Sequence, residues 1–150
     1  MTHLRDVNTE IVARGYDAFS AMDLPTLTEV LSPDCVWIVG GRNKLSATYH
    51  GRDATLDYFG KLLSATAGAF RISVLTVTEV VPDTVLVSAH LTAAGNGRTF
   101  DEEVVQELRL RNRQVVSCRT FLQNGHLFDE LIGSAQIVLP TQSGRQSSTV

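Results

Sequence analysis

Between residues 71 and 123 apolar side chains recur at every second position, the period of a strand with one buried face. Breaks at Pro82-Asp83, Gly95-Asn96-Gly97 and Arg111-Asn112-Arg113 cut this stretch into four runs, 71–81, 84–94, 99–111 and 114–123, which read as successive antiparallel strands. In the second run Val85, Val87, Ala89, Leu91 and Ala93 share the inward face, which puts His90 outside with Ser88 and Thr92; a bulge would reverse that assignment. In the third run Phe100, Glu102, Val104, Gln106, Leu108 and Leu110 share one face, and Asp101, Glu103, Val105, Glu107 and Arg109 the other. The first face is apolar enough to be buried. Yet it carries a carboxylate and an amide, which need a partner, water or a ligand once removed from solvent.

Ahead of the strands the spacing is helical. Asp6 or Asn8 can cap a helix in which Ile11, Gly15, Ala18, Phe19 and Met22 recur. Asp23 and Pro25 restart the chain into a short second helix with Leu27, Val30 and Leu31 buried, ended by Ser32-Pro33-Asp34. Residues 35–39 form an apolar strand stopped by Gly40-Gly41, and 40–50 is polar and irregular. Gly51-Arg52-Asp53 opens a third helix with Leu56, Phe59, Leu62 and Leu63 as its stripe, Tyr58 beside it and Gly68 as its stop. After Gln123 the chain turns, and Leu127, Phe128, Leu131 and Ile132 pack as a short segment against the body. Three helices preceding a meander give an α+β class with the helices on one sheet face. The expected domain covers 1–139, and the Ser, Thr, Gln and Gly of 140–150 are expected to be a disordered tail.

Composition narrows the partners. With 150 residues, 43% hydrophobic and 19% charged, the chain can bury a core without a metal or disulfide. Its 13 Lys and Arg are scattered and its net charge is -3, which argues against nucleic acid. The absence of any apolar run of leader or membrane-span length, with a polar start, predicts a cytoplasmic protein with no membrane partner. Cys35 and Cys118 stand apart and are expected to be buried thiols. His3, His50, His90 and His126 show no paired spacing, and no Gly-rich loop lies between a strand and a helix, so no metal or cofactor is expected.

Several motifs in this order resemble a known group. They are Tyr16-x-x-Phe19, then Asp23-Leu24, then Leu31-Ser32-Pro33-Asp34-Cys35-Val36-Trp37, Gly51-Arg52-Asp53-Ala54, and Val115-Val116-Ser117-Cys118-Arg119-Thr120-Phe121. From about Val7 to Leu131 the chain resembles the nuclear transport factor 2-like superfamily, and within it the SnoaL-like and ketosteroid-isomerase-like proteins. The resemblance implies a cone: three N-terminal helices on a strongly curved, mainly antiparallel sheet enclose an apolar pocket, commonly in a homodimer that meets through the outer sheet face. It also implies positions for a first-helix Tyr and for several acids, and these are replaced here. The three isomerase positions hold Gly15, Gln106 and Val39, and the acid near the end of the last strand corresponds to Gln123.

Placed in that fold, a few residues become candidates. Glu102, on the inner face, and His50, just before the third helix, are the groups able to move a proton. Against this, Glu102 also reads as one member of a solvated Asp101-Glu102-Glu103 run, and His50 as a surface loop residue. Gln106 either holds a substrate oxygen or only satisfies a neighbouring hydroxyl. Tyr16, Trp37, Tyr49, Tyr58, Thr120 and Gln123 complete the substrate-binding set, although Trp37 and Tyr58 also read as plain core. Tyr16 sits one residue beyond the position the isomerases use, a turn of about 100° on a helix. The resemblance implies proton-transfer chemistry, an isomerisation, cyclisation or dehydration of a hydrophobic oxygenated metabolite. The alternatives are a non-catalytic carrier of a small hydrophobic molecule and a protein-interaction module.

Overall fold

A computed structural model describes residues 4–133. The expected end of the domain at 139 and the tail at 140–150 lie outside the described residues. The elements run α1 (Leu4–Ala21), α2 (Leu24–Val30), β1 (Leu31–Val39), β2 (Ala47–His50), α3 (Arg52–Ala65), β3 (Arg71–Val81), β4 (Thr84–Gly95), β5 (Arg98–Arg111), β6 (Gln114–Phe121) and α4 (Gly125–Ile132). The six strands form one curled sheet in the order β2-β1-β6-β5-β4-β3. All its pairs are antiparallel except β1 with β6, which run parallel.

The meander follows the alternation. Val85, Val87, Ala89, Leu91 and Ala93 of β4 are buried, as are Phe100, Val104, Leu108 and Leu110 of β5, and these two inner faces form the floor of the core. His90 faces outward, where its Nε2 meets Asp101 Oδ1 at 2.6 Å.

Four features depart from the sequence expectation, each for a physical reason. There are four helices among the described residues, not three N-terminal ones. Phe128, Leu131 and Ile132, at helical spacing, bury one side of α4 after the sheet is complete. The stretch expected to be irregular contains β2, which pairs along the outer edge of β1 with Trp37 opposite Tyr49. An edge strand with Ala47, Thr48 and His50 in solvent carries no apolar alternation to reveal it. Strand β1 begins at Leu31, and Ser32-Pro33-Asp34 lies inside it. The pairing with β6 breaks between Leu31 and Val36, leaving room for a proline that has no N–H to donate. Strand β6 ends at Phe121, so Gln123 falls in the exposed link to α4.

The helix faces also turn relative to expectation. The fully buried face of α3 is Thr55, Tyr58, Phe59 and Leu62, with Leu56 and Leu63 at its margins. On α1 the buried face includes Asn8, Val12 and Ala18, while Met22 is exposed and leaves the helix with a φ of 55°. Asn8 tolerates burial because its Nδ2 donates to Glu79 Oε2 at 2.9 Å and to Asp83 Oδ1 at 3.0 Å, tying α1 to the β3–β4 hairpin. Asp23 caps α2 by accepting from the Thr26 N–H at 3.2 Å.

Candidate functional site

The helices and the concave sheet face line an open cavity of about 400 Å³. Val12, Tyr16 and Phe19 of α1, Leu91 of β4, Gln106 and Leu108 of β5, Val115 and Thr120 of β6, and Phe128 and Asp129 of α4 contribute to its wall. Aromatic rings close one side: Phe59 is met edge-on by Phe19 at 5.2 Å and by Trp37 at 5.1 Å.

Three candidates from three elements meet inside this mainly apolar wall. The Tyr16 hydroxyl donates to Gln106 Oε1, and Gln106 Nε2 donates to Thr120 Oγ1 at 2.7 Å. Gln106 and Thr120 are direct cross-strand partners, so the sheet register itself sets the second bond. Tyr16 reaches the amide despite its one-residue offset on the helix, because the phenol is long enough to bring its hydroxyl to the sheet. The Thr120 hydroxyl accepts from Gln106, which leaves its own proton free to donate.

Trp37 and Tyr58 also line the cavity. The remaining candidates lie elsewhere. Tyr49 stacks on Tyr58 at 4.7 Å and donates its hydroxyl to the Leu45 carbonyl at 2.5 Å, outside the cavity wall. His50 is exposed at the end of β2. Glu102 does not line the cavity either. Its Oε2 accepts from Asn124 Nδ2 at 2.9 Å at the start of α4, and its Oε1 is buried with no partner among the described residues.

Asp129 carries the one charged side chain among the described residues of the wall, and it was not singled out in the sequence. In Leu127-Phe128-Asp129-Glu130 it reads as a solvent-face residue; its partner Asn43, 86 positions away, gives it a place in the wall.

Burial holds several groups of this core protonated. It pushes the Tyr16 phenol well above its ordinary 10.0, with the Cys118 thiol adding to the effect, and it raises Tyr58 likewise. It also raises the Cys118 thiol above its ordinary 9.0, with Cys35 adding to the effect. Tyr16 is therefore a donor in this site and not a base. Above about pH 9 the unfolded chain releases protons that the folded protein keeps. Stability is then full below that pH and is expected to fall by roughly 1.4 kcal/mol per pH unit for each such group, from about pH 9 for Cys118 and from about pH 10 for Tyr16 and Tyr58. Thermal melts in alkaline buffers check this, and Tyr58→Phe should make the fall shallower by one proton; an unchanged slope would exclude Tyr58 as a source.

Among the described residues no helix is long and apolar enough to cross a membrane. Bal32a, from a soil-derived mobile gene cassette, shares 29% identity and a TM-score of 0.80, over 85% of this chain and 97% of its own. A putative SnoaL-like polyketide cyclase from Jannaschia shares the fold at a TM-score of 0.71 and 22% identity, over 88% of this chain and 96% of its own. An uncharacterised protein of Mycobacterium tuberculosis is 26% identical over 97 residues, 65% of this chain and 74% of that protein. Residues 12–118 match the SnoaL-like domain, and the chain belongs to that family, within the nuclear transport factor 2-like superfamily.

Proposed function

We propose that this SnoaL-like protein is a small-molecule enzyme that moves a proton on a hydrophobic, oxygenated metabolite, in an isomerisation, cyclisation or dehydration. The observation that carries the reading is the Tyr16–Gln106–Thr120 chain inside a mainly apolar cavity. Polar groups in such a place cost stability relative to apolar packing. Their use is to offer a fixed donor, the Thr120 proton, where a ligand carbonyl gains negative charge as it becomes an enol or enolate. A fold shared with a putative polyketide cyclase makes polyketide-like ketones the first compounds to try. The reading includes a homodimer through the outer sheet face, supported by the apolar side chain of Val105 on the side of β5 away from the cavity, which is 39% exposed. Two buried free thiols support a cytoplasmic setting.

The test is deuterium uptake at the carbon beside the carbonyl of fused-ring ketones such as β-tetralone, in heavy water, followed by NMR. Trp37, the single tryptophan, lines the cavity and reports binding by its fluorescence. Protein-dependent exchange is expected, and native mass spectrometry should show twice the chain mass. The carrier reading draws on the replacement of the family's acids at Gln106, Val39 and Gln123. It predicts a fluorescence response with no exchange, an outcome that would remove the enzyme reading.

A further inference from the structure

We infer that Asp129 is the proton-transfer group of this cavity, and that its substrate is a ketone whose adjacent C–H bond faces Asp129 while its oxygen meets Thr120. This inference rests on the enzyme reading above. Four features of the carboxylate carry it. Asp129 sits on α4 between the buried Phe128 and Leu131, which fix the helix against the body and leave Asp129 in the cavity wall. One oxygen, Oδ1, accepts from Asn43 Nδ2 at 2.8 Å. The Asn43 amide is oriented by the backbone: its Oδ1 accepts from the Leu45 N–H at 2.9 Å, so its nitrogen must face the carboxylate. The other oxygen, Oδ2, has no hydrogen-bond partner among the described residues, and no Lys, Arg or His pairs with Asp129 there.

Gly41 belongs to the same device. Its φ is +87°, and a Cβ built there would lie 2.5 Å from Asp129 Oδ1. Any side chain at 41 would be strained and would displace the carboxylate. A structural carboxylate is usually matched by a cation or by several N–H groups. Asp129 is instead held on one oxygen by a neutral amide, with the other oxygen left to react.

The step balances without a further reagent. Asp129 takes the proton, the C–H electron pair becomes the C=C bond, and the carbonyl oxygen gains charge while accepting from the Thr120 hydroxyl. Asp129 then returns the proton to the same carbon or to a conjugated one, and is again a carboxylate. Asn43 acts through Asp129 and is a positioning residue.

The experiment compares deuterium uptake into β-tetralone with Trp37 fluorescence binding, for the full chain and its variants. Asp129→Asn keeps an acceptor for Asn43 but no base. It should retain binding and lose exchange by about 100-fold or more. Asn43→Ala should lower kcat for exchange with little change in KM. If Asp129→Asn does not fold, Asp129→Ala with added formate decides, since a small carboxylate in the vacated space should restore part of the exchange. Exchange within about threefold of wild type in Asp129→Asn, or its loss in His50→Ala alone, overturns Asp129 and leaves the enzyme reading standing. Wild-type protein that binds the ketone without exchange overturns both.

Discussion

Leu131→Ala is expected to lower the unfolding free energy by about 2–5 kcal/mol, the cost of a leucine removed from a site that does not collapse. Leu131 is 0% exposed, and its backbone carbonyl accepts from Asn96 Nδ2 at 2.9 Å in the β4–β5 turn. Its Cδ2 lies 3.3 Å from the position a Cβ would take at Gly95, so the residue is packed tightly against the end of β4. Helix α4 has only 8 residues, too few to be stable alone, so its place over the cavity depends on Phe128, Leu131 and Ile132 being buried. Its remaining side-chain ties are single contacts: Asn124 to Glu102, Asn43 to Asp129, and an exposed Arg98–Glu130 ion pair at 3.3 Å, which adds little. The variant should therefore show faster hydrogen exchange across α4 than across β4 and β5, and weaker ligand binding along with its lower melting temperature. Leu127→Ala, on the exposed side of the same helix, is the control and should stay within about 0.5 kcal/mol of wild type. Equal losses at 127 and 131 would mean that α4 is not seated by its buried face.

The strands that build the floor of this cavity were legible because their two sides differ in chemistry. Val85, Val87, Ala89, Leu91 and Ala93 could not all face water, and His90 with Ser88 and Thr92 followed to the other side. Gln106 was legible for the opposite reason, as an amide on an apolar face. What the amide bonds to was not legible, because Tyr16 and Thr120 are brought to it by helix packing and strand register. Strand β2 was hidden because an edge strand with one partner needs no alternation. Asp129 was hidden because a local window shows it beside Glu130 on an amphipathic helix. Only the seating of α4 against Asn43 separates the two acids, with Asp129 in the wall and Glu130 outside. Local pattern thus specified which faces are buried, and tertiary packing decided which polar groups meet.

The same distinction predicts how the hydrogen-bonded chain responds to substitution. Gln106→Leu alone removes the acceptor of the Tyr16 hydroxyl and the donor to Thr120, leaving two polar groups unpaired in an apolar wall. At about 1–3 kcal/mol for each orphaned group, the variant should lose roughly 2–6 kcal/mol in denaturant melts. Replacing all three members, Tyr16→Phe, Gln106→Leu and Thr120→Val, removes every unpaired group at nearly constant volume. Stability should then return to within about 1 kcal/mol of wild type, because a polar network replaced as a whole by apolar groups of similar shape costs little. The triple variant should still quench Trp37 fluorescence with naphthalene, and should lose the wild-type preference for β-tetralone over naphthalene. Stability that recovers while that preference disappears means the chain is kept for the ligand oxygen. A triple variant as unstable as Gln106→Leu alone would make the network a structural tie between α1, β5 and β6, and the enzyme reading would lose its main support.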